Sequence, residues 1–174
     1  NFDYIVCTVH PETRNKNKIT NKLFNLFKAF NHFRDLKIIF TMPNFDEGAL
    51  NIQKKIIEKI DNKKYFFFPS LGHDAYLSLI NFSKGSVGNS SSNIIELPSL
   101  KKGAINIGSR QKGRVMAKNI INCEININSL KKSIKKLLSK SFNDDLKYLK
   151  NPYYKKNSSN LIYKHLRKNF DLEE

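Results

Sequence analysis

The sequence is poor in cysteine, in acidic residues and in long apolar runs, and each shortage narrows what the chain can be. Its two cysteines, Cys7 and Cys123, lie far apart. They form neither a disulfide framework nor a spaced metal motif, and they fit buried free thiols in a reducing cytoplasm. No stretch approaches the roughly 18 apolar residues of a membrane span, and no signal peptide is visible, so no membrane partner is expected. No internal repeat or linker interrupts the chain. Asp and Glu number 15 against 31 Lys and Arg, a formal net charge of +16. That excess invites a basic, nucleic-acid-binding reading. Its composition argues otherwise: 26 Lys against 5 Arg, with 22 Asn and 19 Ile, is the bias of AT-rich codons. The lysines are scattered along helices rather than gathered into a block, so no nucleic-acid partner is expected. A modest positive field still attracts small anions.

What is present is a chain of 174 residues, 40% hydrophobic, long enough for one domain with a real core. Short runs rich in Ile, Val and Phe recur at 4–9, 37–41, 64–68, 86–88 and 104–107, with a weaker one at 120–123. They have the character of strands buried on both faces. Between them, apolar residues return at spacings of three and four. Leu23, Leu26, Phe27 and Phe30 do so within 19–33, and Ile52, Ile56, Ile57 and Ile60 within 50–60. Further helices are expected around 76–80 and over 92–100, 130–138 and 161–166, the last after a polar, turn-rich stretch at 143–159. Strand–helix alternation predicts a Rossmann-like α/β domain, a parallel sheet with helices on both faces. The first strand starts almost at position 1, which suggests a fragment whose missing part precedes Asn1.

Ligands of such sheets sit at the carboxyl ends of the strands. The loops there carry His10-Pro11-Glu12-Thr13, Met42-Pro43-Asn44, Ser70-Leu71-Gly72-His73, Asn89-Ser90-Ser91-Ser92 and Gly108-Ser109-Arg110-Gln111. Hydroxyls, amides, an imidazole and a guanidinium suit a phosphorylated or sugar-like ligand. The segment "GNSSSNIIELPSL" at 88–100 stands out. Backbone N–H groups at a helix start carry partial positive charge, and small side chains let phosphate approach them. Glu96 follows Ser92 by one turn, about 6 Å along the axis, where a carboxylate can accept from ribose hydroxyls. Equally, the serines could merely cap the helix and Glu96 face solvent. The motif alone leaves both readings open.

"GNSSSNIIELPSL", followed by "INIGSRQKGR", resembles the hydrolysing UDP-N-acetylglucosamine 2-epimerases of sialic and legionaminic acid biosynthesis. The likeness extends to "TVHPET" at 8–13, "MPNFDEG" at 42–48 and "NPYYKKNSSNLIYKHL" at 151–166. "GSRQKGR" favours the hydrolysing branch. The resemblance implies a GT-B fold of two Rossmann-like domains, of which residues 1–174 would be the C-terminal, nucleotide-binding one, with the N-terminal domain missing. It also implies a UDP-sugar substrate, no cofactor or metal, and a homo-oligomer when full length. Ser90 and Ser91 would hold the diphosphate together with Arg110, Glu96 the ribose, and Asn44 and the backbone near Leu71 the nucleotide. His10 matches the family's active-site histidine, while the proton-transfer carboxylates would belong to the missing domain. Two positions depart from the pattern. Asn93 replaces the Gly or Ile of many relatives, and Tyr154 replaces a Gly before the last helix.

The competing reading is the nucleotide-binding half of a GT-B glycosyltransferase, against which the "GSRQKGR" and "HPET" loops argue. Of the remaining conspicuous residues, His32 and His165 read as surface, His73 as a helix start and Phe66-Phe67-Phe68 as a buried strand. Glu12 reads as loop structure rather than catalytic acid, and Arg114 as support for Arg110 or as a solvent-facing residue.

Overall fold

A computed structural model describes residues 2–12, 18–43 and 46–170. Six strands form one parallel sheet: β1 (Tyr4–Thr8), β2 (Lys37–Thr41), β3 (Tyr65–Phe68), β4 (Ser86–Gly88), β5 (Ala104–Ile107) and β6 (Ile120–Cys123), in the order β3-β2-β1-β4-β5-β6. The helices are α1 (Lys18–Asn31), α2 (Ala49–Ile57), α3 (His73–Phe82), α4 (Ser92–Ile95), α5 (Ile127–Leu138), α6 (Lys140–Leu146) and α7 (Ser158–Asn169). The order runs outward from β1 in one direction and from β4 in the other. The β1–β4 boundary is therefore the switch point at which open α/β sheets leave a crevice.

Strand periodicity explains the two cores. Alternate residues of a strand face opposite sides. Ile5, Cys7 and Val9 join a large cluster with Leu23, Leu26, Phe27 and Phe30 of α1, Ile52 and Ile56 of α2 and Leu130, Ile134 and Leu137 of α5. Val6 faces the other way, onto Ile80 of α3, Leu97 and Ala104. Fully burying each such side chain is worth about 1.5–3 kcal/mol, so the doubly covered central strands anchor the domain.

The structure departs from the sequence reading in three places. The helix expected over 92–100 is regular only over Ser92–Ile95; turns follow, with Ser99 N–H bonded to Glu96 O and Lys102 N–H to Leu97 O. Helix α6 occupies the start of the stretch read as turns. Ser139 caps it by accepting from the Phe142 N–H, and Phe142 and Leu146 are buried against the main core. And β3 is an edge strand: Tyr65 is buried, but the triple phenylalanine grades outward to an exposed Phe68.

Candidate functional site

A cleft of about 380 Å³ opens at the switch point. Four loops build it. His10 follows β1, Met42 follows β2, Phe68, Leu71 and Gly72 end and follow β3, and Ser90, Ser91, Ser92 and Glu96 follow β4. Five expected residues, His10, Leu71, Ser90, Ser91 and Glu96, thus line one cavity. Arg110 stands beside it, its Nη1 donating to Asn89 O at 3.3 Å. Asn44 and Thr13 fall outside the described residues. A larger hollow of about 720 Å³, lined by Lys22, Asn106, Ser109, Lys112 and Arg114, holds none of the expected residues. Arg114 is exposed there. No three His, Cys, Asp or Glu side chains among the described residues are grouped to hold a metal ion.

The serine turn has the form an anion needs. Among the described residues, the amides of Ser90 and Ser91 carry no backbone hydrogen bond; the Ser92 N–H makes only a long one, 3.4 Å, to Ser90 Oγ. The close approach of β4 to β1 sets where this turn begins. A Cβ on Gly88, whose φ is +152°, would lie 1.9 Å from Thr8 O. Asn93 then fastens the turn from beneath. Its Oδ1 accepts from Ser86 Oγ at 2.5 Å, and its Nδ2 donates to Gly88 O at 3.3 Å. A departure from the family pattern is therefore a buried brace. Tyr76 of α3 donates from Oη to Ser92 Oγ at 3.0 Å, so the serine keeps its own hydrogen to give. Burial pushes the Tyr76 phenol up, against the hydrogen bond with Ser92.

His10 is 5% exposed, deeper than a loop residue at a cleft edge would be. Burial, seconded by the positive charge of Arg110, pushes its pKa down to about 4, with Asp46 partly opposing. The ring is therefore neutral at pH 7, one nitrogen a donor and the other an acceptor. Glu12 is buried and structural. Its Oε1 accepts from the Ser109 N–H at 2.7 Å and the Arg110 N–H at 3.1 Å, and its Oε2 from Ser109 Oγ at 3.2 Å. It ties the first loop to the fifth, and Gly108 makes room, because a Cβ there would sit 2.3 Å from Glu12 Oε1. His32, His73 and His165 are exposed, and His73 opens α3.

A family model described as UDP-N-acetylglucosamine 2-epimerase matches residues 1–167. The chain belongs to that family. Among curated relatives, it is similar to the polysialic acid biosynthesis protein P7 of Escherichia coli, 35% identical over 156 residues, covering 89% of this chain and 40% of the relative. It is also similar to the GDP/UDP-N,N'-diacetylbacillosamine 2-epimerase (hydrolyzing) of Campylobacter jejuni, 41% identical over 138 residues, 78% of this chain and 35% of the relative. In fold it resembles the UDP-GlcNAc 2-epimerase of Neisseria meningitidis bound to UDP-GlcNAc, with TM-score 0.77 and 15% identity, covering 97% of this chain and 46% of that one. The S. aureus MnaA–UDP co-structure gives TM-score 0.75 at 20% identity over 99% and 46%. The chain thus spans 35–46% of the length of these proteins. Tyr76, which lines the cleft, and Asn89, buried just before the serine turn, were given no role by the sequence. Their partners lie on other elements, and only the pairing of β1 with β4 brings Asn89 to His10.

Proposed function

We propose that the chain is the nucleotide-sugar-binding half of a hydrolysing UDP-N-acetylglucosamine 2-epimerase, with residues 1–174 forming one C-terminal domain of a GT-B protein. The observation that carries the reading is the gathering of His10, Leu71, Ser90, Ser91 and Glu96 around one cleft at the switch point of the sheet. In this assignment the amides and hydroxyls of Ser90 and Ser91 take the diphosphate, Arg110 adds charge from the side, and Glu96 accepts from the ribose. Asn44 and the backbone near Leu71 complete the nucleotide contacts. Neutral His10 donates an N–H toward the diphosphate oxygen on which negative charge builds.

The reaction balances in two steps. A base removes the C2 proton of the sugar, the C1–O bond to UDP breaks, and a C1=C2 double bond forms. Water then adds across that bond, hydroxyl to C1 and proton to the opposite face of C2, giving the free 2-epimer: N-acetylmannosamine or a 2,4-diacetamido analogue. Both thiols are buried and free, which favours a cytoplasmic setting, and the whole protein is read as a homo-oligomer. The deciding experiment incubates the full-length protein with UDP-N-acetylglucosamine and its 2,4-diacetamido analogue. UDP plus a free 2-epimer is expected. Transfer of an intact sugar to an acceptor, with no free 2-epimer, would assign the cleft to a glycosyltransferase.

A further inference from the structure

Asn89 does not line the cleft; it is a buried, heavily hydrogen-bonded polar residue immediately before the serine turn. It is 0% exposed. Its Oδ1 accepts from the His10 N–H at 2.7 Å and its Nδ2 donates to the His10 carbonyl at 2.9 Å. The β1–β4 ladder ends at Thr8 and Gly88, with the Asn89 N–H reaching Thr8 O at 3.2 Å. One step beyond, the carboxamide takes over from the strand and pairs with both polar groups of the His10 backbone. Asparagine suits this task because one planar group offers a donor and an acceptor side by side. Aspartate keeps only the acceptor, and its second oxygen would face the His10 carbonyl. The main chain of the same residue reaches the fifth loop: Asn89 O accepts from Gln111 Nε2 at 2.7 Å and Arg110 Nη1 at 3.3 Å. The side chain that fixes His10 and the carbonyl that holds Arg110 thus move as one rigid unit.

From this geometry we propose that Asn89 is the positioning residue of the site, setting the imidazole of His10 and the guanidinium of Arg110 in register above the serine turn. The proposal rests on the functional reading above for what His10 does, and on hydrogen bonds alone for what Asn89 does. It acts through His10, so its loss counts only while His10 is present.

The test is a double-variant cycle in the full-length protein combined with a titration on the 174-residue chain. Asn89→Ala is expected to lower kcat about 10- to 100-fold, the scale of a misplaced reacting group. The affinity of the chain for UDP should stay within about threefold, because Ser90, Ser91 and Glu96 remain. The double variant Asn89→Ala/His10→Ala should be no slower than His10→Ala alone, the non-additivity of residues acting as a unit. By NMR between pH 3.5 and 8, the His10 ring should titrate near 4 in the parent chain and closer to its ordinary 6.5 in Asn89→Ala. Asn89→Asp, which retains the acceptor but loses the donor, carries the kinetic cycle should the alanine variant not fold; its added charge raises the ring pKa by itself, so the titration is read on Asn89→Ala. Losses that multiply across the cycle, or a ring that still titrates near 4 in the variant, overturn the proposal. A full-length protein that releases no UDP from either UDP-sugar sinks the proposed reaction instead, and the titration still decides the role of Asn89.

Discussion

His10 and Glu96 should respond differently when the pH or the ligand is changed, because both line the cleft but His10 is almost wholly buried whereas Glu96 is half-buried. The folded state holds His10 near pKa 4 against an ordinary 6.5, so between those values the unfolded chain binds the proton that the folded chain refuses. The stability tied to the neutral ring is fully present above about pH 6.5 and is lost as pH falls through about 4, up to roughly 3 kcal/mol. Calorimetric melting of the chain at pH 4.5 and pH 7.5 should show this loss, and His10→Gln should flatten it. An unchanged slope in that variant would assign the acid sensitivity to other groups. Glu96 is half-buried beside Ser91 and Ser92 in the cleft lining. Glu96→Ala should weaken UDP by about 1.5–3 kcal/mol, as expected for a charged acceptor of hydrogen bonds, and leave pyrophosphate nearly untouched. Equal losses for both ligands would remove the ribose from its assignment. Glu96 was legible in the sequence because its partner Ser92 lies one turn away. Tyr76 and Asn89 were not, because Tyr76 meets Ser92, and Asn89 meets His10, only through the tertiary fold.

Among the elements, the β4–turn–α4 unit positions the proposed anion site, and its geometry depends on main-chain proximity more than on side chains. At Gly88 a methyl group would fall inside the van der Waals shell of Thr8 O, on a backbone already at positive φ. Gly88→Ala should therefore cost on the order of 3 kcal/mol or more, since two paired central strands must part to admit it. Urea unfolding measures this directly. A near-neutral result would mean that β1 and β4 do not pair as closely as described. Strands were legible because short Ile-, Val- and Phe-rich runs admit few alternatives in a parallel sheet, and α1 because its apolar stripe is unbroken. The short extent of α4 was hidden, since Ile94, Leu97 and Leu100 suggest a longer helical face whereas the chain bends to bury Leu97 on Ala104. Helix α6 was hidden by its polar surface, and only two of its side chains, Phe142 and Leu146, are buried.

At the scale of the molecule, the sheet supplies half of what the proposed chemistry requires. Removing a proton from C2 of the sugar calls for a positioned base. Among the described residues that line the cleft, Glu96 is the one carboxylate, and the proposed assignment gives it to the ribose. Glu12 is consumed by the Ser109 and Arg110 amides. His10, neutral and depressed to about 4, is a weak base at pH 7 and better suited to donating toward the leaving group. In the proposed assignment the cleft therefore holds groups for binding UDP but, among the described residues, none for starting its elimination. The chain also spans 35–40% of the two curated relatives described above, which leaves room for such a base elsewhere in a whole protein. Its net charge of +16 favours capture of an anionic nucleotide, and binding should weaken as salt rises. The 174-residue chain is therefore expected to bind UDP, with saturable heat in a calorimeter, and to release none from UDP-N-acetylglucosamine over hours. Turnover by this chain alone would place the base within its own residues, with His10 the first to examine, and would overturn the division of labour between two domains.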